Sequence, residues 1–329
     1  MRWQVRWLAL LLALVGMQAG LQAQEAAPLP APLRKFTYPL VVGQRDFSLE
    51  LYSDSEAEAD SHAQALLATL REQQGLLDKA RKVTAAARGG TVALGPEIYG
   101  LLDKLRSVCE LSQGAFDPTD RPLRVLWGFI PGALAYHLPR PDEIATAKAA
   151  VGCSQMELQA VPPSLFLANP RLQLNWDLFA VGWLVDQSVS VLKDLPAAML
   201  KSDQVAYYHG APPDAIAWKV PVPDPRHPET TLSYLYLKNQ ALSILGDYQN
   251  YFLHNGIRYS SLLDVRTGYP TQENVAVQVT ASSALDAELI AHATAALDDA
   301  GTQKLLKALQ RSNVYKIVDR NGLLLPLSY

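Results

Sequence analysis

The sequence predicts an α+β fold, with mixed sheets flanked by helices, on three observations. One long stretch, Glu56 to Ala87, places Ala63, Leu66, Leu67, Leu70 and Leu77 on one helical stripe. Short apolar runs between Val205 and Thr280 have the length and composition of strands. Near the C-terminus, Asn321-Gly322 separates two apolar runs, the composition of a tight hairpin. With 329 residues, 49% hydrophobic and 19% charged, the chain is long enough for one large core or two intimate ones.

The elements follow in order. Met1 to Ala23 reads as a secretory signal: Arg2 and Arg6 are its basic end, Trp7 to Met17 its apolar core, and Ala23 the last residue before cleavage. The apolar core is shorter than the roughly 20 residues of a spanning helix, and no cysteine near the cleavage point offers a lipid anchor. The expected location is therefore outside the cytoplasm, in the periplasm. Residues 24–35 are expected to be a flexible tether, and 36–329 the folded domain. Phe47 to Tyr52 alternates as a strand after a turn at Val42-Gly43. Pro96 opens a second helix through Cys109 and Leu111, and Gly114 is placed to end it. Gly114 to Phe129 is expected as a loop and Pro141 to Val151 as a short helix. Leu158–Ala160, Leu165–Ala168 and Leu172–Leu174 read as short strands, and Asp177–Leu192 as an apolar helix. Val205–Tyr208, Ala217–Val220, Leu232–Leu237, Leu242–Leu245 and Val275–Thr280 add strands. Asp286 is expected to cap a helix to about Asp298, Thr302–Gln310 to form another, and Val314–Val318 with Leu323–Leu327 to close the chain as a hairpin.

Composition excludes one class of partner. Without the leader there are 27 basic and 32 acidic residues, a net charge of −5, and no basic cluster stands out along the chain, so nucleic acid is not expected as a partner. The two cysteines, Cys109 and Cys153, could pair in an oxidising compartment or lie apart as buried apolar thiols; the sequence leaves both open. No Cys/His metal cluster is present.

Two motifs carry the functional signal. The first is Gly114-Ala115-Phe116-Asp117-Pro118-Thr119, followed by Pro122-Leu123 and Leu126-Trp127-Gly128-Phe129. The second is Arg258-Tyr259-Ser260-Ser261-Leu262-Leu263-Asp264-Val265-Arg266-Thr267-Gly268. In this order and at this separation they resemble the FAD:protein FMN transferase (ApbE-like) family. The resemblance covers about Val42 to Tyr329. It implies FAD as substrate, Mg2+ as cofactor, and transfer of FMN to a Thr or Ser of a target, here an exported electron-transfer protein.

By that resemblance, Phe116, Asp117 and Thr119 shape the flavin pocket, in which an aromatic face such as Phe116 or Trp127 can stack on the ring system. The plain alternative is a loop that nucleates the fold around Trp127. Asn175 to Asp186 resembles the family segment Leu-Asp-Leu-Gly-Ala-Ile-Ala-Lys-Gly-Tyr-Ala-Val-Asp. Gly182 permits close backbone approach, Ala180 can lend its carbonyl to a metal, and Val181 replaces the lysine, removing a charge that suits a pyrophosphate. His209 reads as a loop residue where the family has Gly-Gly-Asp. Asp247 belongs to a Gly-Asp-Tyr element and can accept from backbone, from Arg258 or from a ligand. Arg258, Asp264, Thr267 and Gly268 are retained in the second motif, whereas Ser261 occupies the family histidine position, and a serine is no effective base without a partner. In the helix after Asp286, one register keeps Thr294 as a metal ligand and the other keeps Glu288 with His292 in place of threonine. Magnesium prefers oxygen ligands. These departures leave a second reading, a non-catalytic flavin- or partner-binding descendant.

Overall fold

The computed structural model describes residues 32–329, apart from 228, 273, 310, 311, 321 and 322. The expected signal, most of the tether and the Asn321-Gly322 turn lie outside the described residues. Leu33–Tyr329 forms one compact unit, and its first strand begins at Arg34, inside the stretch expected as tether.

Eight strands form the main sheet: β1 (Arg34–Val42), β2 (Arg45–Ser53), β3 (Ala197–Ser202), β4 (Val205–Gly210), β5 (Gln240–Gly246), β6 (Asn274–Ala281), β7 (Ser312–Arg320) and β8 (Leu323–Ser328). Their order in the sheet is their order in the chain, and every pairing is antiparallel. The helices are α1 (Glu56–Ala86), α2 (Pro96–Leu111), α3 (Arg121–Trp127), α4 (Pro141–Lys148), α5 (Ala180–Leu192), α6 (Ala284–Ala295) and α7 (Asp299–Leu309).

Strand periodicity sorts side chains to two faces. Ala198, Leu200, Val205, Tyr207, Ala241 and Leu245 join the main core with the apolar faces of α1, α2, α5 and α6. The intervening Ala197, Ala206, Tyr208 and Leu242 face the other way, where the hairpin of Trp218–Pro223 and Thr231–Leu237 covers them with Trp218, Val222 and Leu235.

Several elements differ from the sequence reading. The expected Gly114–Phe129 loop contains α3, which starts with Pro122 in its first turn and ends at Gly128 in the left-handed conformation. Leu172–Leu174 is not a strand; Gln173 makes a single bridge to Asp120. His209 lies in β4 rather than in a loop, with Nε2 3.1 Å from Leu195 O. The cap of α6 is Ser283, whose hydroxyl accepts from Asp286 N; Asp286 itself sits in the first turn. The hairpin Tyr251–His254/Ile257–Ser260 turns on Asn255-Gly256, both at positive φ (49° and 78°), a signal present in the sequence and not used.

Cys109 and Cys153 form a disulfide with a Cα–Cα distance of 6.6 Å. It holds the end of α2 to the chain that returns beside Asp117: Cys153 N donates to Asp117 Oδ2 at 2.9 Å, and Gly152 N donates to Thr119 Oγ1 at 2.8 Å. The bond spans a sequence separation of 44. Its loss in Cys109→Ala/Cys153→Ala is expected to lower stability by about 4 kcal/mol on loop entropy. Urea unfolding of the oxidised protein against the variant measures the difference, and reductant should bring the wild type down towards the variant.

Candidate functional site

The site is built on the junction of α5 and α6. Asp186 on α5 accepts from Ser283 Oγ (2.6 Å), Ala284 N (2.6 Å) and Leu285 N (3.1 Å), satisfying donors that the start of α6 leaves open. Glu288 on α6 returns the contact: its Oε2 accepts from Gly182 N, in the first turn of α5, at 2.8 Å. Each helix thus supplies the carboxylate at the other's N-terminal turn. The close crossing requires Gly182, because a Cβ there would lie 2.7 Å from both Ala284 O and Glu288 Oε2.

A second frame fixes the loops around this junction. Asn175 Nδ2 donates to Asp120 Oδ1 at 2.7 Å, Arg124 Nε donates to Asp120 Oδ2 at 2.6 Å, and Arg124 Nη1 donates to Ser261 O at 3.2 Å. Asp120 is 1% exposed, so it is a paired, fully hydrogen-bonded buried carboxylate. Trp127 Nε1 donates to Gly268 O at 2.9 Å, joining the two sequence motifs directly.

Between these frames lies a cleft of about 180 Å3. Its wall includes Asn175, Asp177, Val181, Leu245, Ser261, Glu288 and His292, with Phe129, Ile130 and Asn250 at one side. Burial pushes Glu288 up to about 8, opposed by Gly182 N–H and Arg45 and assisted by Asp186 and Asp203. Burial pushes His292 down to about 3, with Arg124 adding, so its imidazole is neutral at pH 7.

The structure brings together only part of the predicted set. Ser261, Glu288 and Val181 of α5 meet at the cleft, whereas Ala180 is fully buried and Gly182 contacts Glu288 behind the wall. Of the two registers, Glu288 and His292 are the residues that border the cleft, one turn apart on α6. Thr294 is fully buried, with Oγ1 donating to Ile290 O at 2.7 Å, and is not on the cleft wall. Phe116 is 1% exposed and Trp127 0%, both in packed clusters: Trp127 stacks on Tyr259 and Phe129, and neither ring presents a face to the cleft. Asp117 is occupied by Thr119 N, Thr119 Oγ1 and Cys153 N, and its carboxyl is raised by burial against those bonds. Asp247 is held by Arg226 at 2.6 and 2.7 Å and by Arg258 at 3.2 Å, and Arg258 also lies over the Tyr251 ring, so these two serve each other rather than the cleft. Asp264 pairs with Arg266, and its carbonyl accepts from Thr267 N and Gly268 N in a turn away from the cleft wall. Asp120, Arg124 and Asn175 were not expected as site residues from the sequence, and His292 only in one of the two registers of its helix. Asp120, the cap residue before the seven-residue α3, and Arg124, four residues on within it, left no separate signal.

The donors at α5–α6 do not make an oxygen cage for Mg2+. Glu288 is already engaged by Gly182 N–H, the α6 partner at i+4 is an imidazole rather than a hydroxyl, and Thr294 is turned into its own helix. Ala180 is the first residue of α5, where its carbonyl belongs to the helix ladder. Among the described residues, the one group of three Cys, His or carboxylate ligand atoms close enough for a metal is Cys109, Asp117 and Cys153, and both of its sulfurs are in the disulfide.

Fold and site together define an α+β protein with a cleft bordered by α5, α6 and an eight-stranded antiparallel sheet. Residues 45–316 match the model of the ApbE family, and the chain belongs to that family. It is 28% identical over 218 residues to an FAD:protein FMN transferase of Haemophilus influenzae, covering 64% of this chain and 62% of that protein. It is 28% identical over 168 residues to the enzyme of the same name from Vibrio cholerae, covering half of each. The chain thus spans about half to three-fifths of the length of these relatives. Among solved structures, the ApbE protein of Thermotoga maritima superposes with a TM-score of 0.75 at 21% identity, over 89% of this chain and 96% of that one. The apo flavinyl transferase ApbE of Pseudomonas stutzeri gives 0.74 at 23%, over 90% and 95%.

Two outcomes follow from the junction. Gly182→Ala is expected to cost about 1–3 kcal/mol through forced separation of α5 and α6, read by chemical denaturation. Glu288 holds its proton in the fold up to about pH 8, while the unfolded carboxyl ionises near 4.5. Its contribution is therefore fully present below pH 4.5 and lost as pH rises to about 8. Glu288→Gln keeps the acceptor for Gly182 N–H and removes this loss, so its stability relative to wild type should increase from pH 5 to pH 8.

Proposed function

We propose that this chain is an exported FAD:protein FMN transferase that binds FAD in the α5–α6 cleft and moves FMN to a Thr or Ser hydroxyl of an exported electron-transfer protein. The observation that carries this reading is convergence. The α5 segment, Leu245, the Ser261 loop and the Glu288–His292 face of α6 come from four separated parts of the chain and border one cleft. Names of the relatives support FAD as the substrate. Export is supported by the leader with Arg2 and Arg6 and by a disulfide of the kind that persists in oxidising compartments.

A second reading, flavin binding without transfer, is favoured by a specific observation. Ser261 stands at the family histidine position with no base hydrogen-bonded to its hydroxyl among the described residues, and the donors at Glu288 do not form a Mg2+ cage.

The test uses the full chain without its leader. A fluorescence titration with FAD is expected to saturate. Incubation with FAD and the exported target, in Mg2+ and in EDTA, is then read by mass spectrometry for a covalent FMN adduct. Saturable binding without an adduct selects the second reading, and no binding removes both flavin readings. Under the transferase reading, Ser261→His supplies a proton acceptor and should raise adduct formation by on the order of 10²-fold. Val181→Lys should tighten FAD by about tenfold through one charge-assisted contact.

A further inference from the structure

A second cavity, of about 190 Å3, borders the flavin cleft and shares Asp177 with it. Its wall is built from the C-terminal part of α1, the start of α3 and the chain before α5, and carries Arg81, Arg88 and Arg121 with Thr84, Gln173 and Trp176. Asp177 is the one acid on that wall. It is shared among three guanidinium groups: Arg45 Nη2 at 2.9 Å, Arg81 Nη2 at 3.3 Å and Arg121 Nη1 at 3.9 Å. Arg45 is further held by Gln74 Oε1 at 3.2 Å. Arg88 adds a fourth positive charge. It makes no ion pair among the described residues, and its Nε is buried without an acceptor. The acids in the groove on its other side, Asp142 and Glu143, are engaged by Arg140.

Three guanidinium groups on the wall, with Arg45 bound to the far side of Asp177, against one carboxylate leave an excess of positive charge around a half-open, polar space. An unsatisfied buried donor on such a wall costs stability unless a ligand completes it. Arginine forks match the planar, multi-oxygen geometry of phosphate. The flavin cleft is less basic: Arg124, paired with Asp120, is its one cation beside Asp177 and Asp203, Glu288 is held protonated near neutral pH, and Val181 adds no charge. Phosphate oxygens are therefore better served next door than in the cleft itself.

We propose that the arginine cavity is a phosphate-binding site, taking a small phosphate-bearing ligand, either free phosphate or the phosphate of a nucleotide. Arg88 and Arg121 are its recognition groups. Arg45 and Arg81, tied to Asp177, set the charge of the wall.

Calorimetry on the leaderless full chain tests this, with inorganic phosphate, AMP and FAD as separate titrants, for wild type and for R88Q/R121Q. Arg88 has no hydrogen-bond or ion-pair partner among the described residues, so R88Q alone serves as a variant that keeps the fold, verified by its melting temperature. The expected result is phosphate binding by wild type, weakened by tenfold or more in R88Q/R121Q and by a smaller factor in R88Q. AMP binding more tightly than phosphate, with the same loss in the variants, supports a nucleotide as the source; equal affinities support free phosphate. Phosphate and AMP affinities unchanged in the variants, or no binding of either by wild type, overturn the proposal. The FAD arm keeps it separate from the flavin reading: FAD binding without phosphate binding overturns this site alone, and phosphate binding without FAD binding supports it while removing the flavin cleft.

Discussion

The reciprocal capping of α5 and α6 is the constraint on which the rest of the molecule depends. A helix start leaves backbone donors unpaired, and burying them unpaired would cost more than most single contacts return. Here Asp186 answers the donors of α6 and Glu288 answers Gly182 of α5. Neither helix can shift along the other without exposing a buried N–H or stranding a buried carboxylate. Because α6 also packs on β5 and β6 through Ala287, Leu289, Ile290 and Ala291, the same junction sets how the cleft wall sits on the sheet.

That arrangement has a chemical consequence. Glu288 pairs with a backbone dipole rather than with a cation, in surroundings that include Asp186 and Asp203. A carboxyl so placed is held mostly protonated near neutral pH, which suits a structural acceptor. Its neighbour His292 is neutral for the same reason, desolvation, acting on the opposite charge type. The pair that a one-turn spacing places on the cleft therefore carries little net charge of its own, and the strong positive field lies next door, on the arginines around Asp177.

Much of the fold was legible from periodicity, because strand and helix spacing are local properties. Phe47–Tyr52, Val275–Thr280 and the long helix from Glu56 all formed close to where the pattern puts them. The site was less legible, because its geometry depends on contacts between distant segments. The choice between Thr294 and His292 turned on which face of α6 meets α5, a matter of packing that i,i+4 spacing alone does not decide. Phe116, Asp117 and Asp247 have the right chemistry for a ligand, yet each is consumed by partners far away in sequence, at Cys153, Arg226 and the core. The arginine cavity was invisible for the same reason: its guanidinium groups come from positions 81, 88 and 121, with Arg45 joining through Asp177, so no basic run marks it.

The departures from the family pattern fall where the hydrogen-bonded frame does not use the side chain. At Ser261 the frame engages the backbone: its N–H donates to Asn250 O and its carbonyl accepts from Arg124. Any side chain that fits the cleft leaves those bonds intact. Val181 and Leu245 likewise face the cleft from elements fixed by their neighbours, Gly182 on one side and the β5–β6 pairing on the other. By contrast, Asp120, Asp186, Glu288 and Gly182 are each fixed by a named close contact whose loss would open the core. The scaffold can therefore keep its shape while the groups that would act on a substrate change, which is why this fold supports the family assignment more firmly than it supports any particular rate. Chemistry in this chain is a property of a few cleft-facing side chains, superimposed on a frame that does not depend on them.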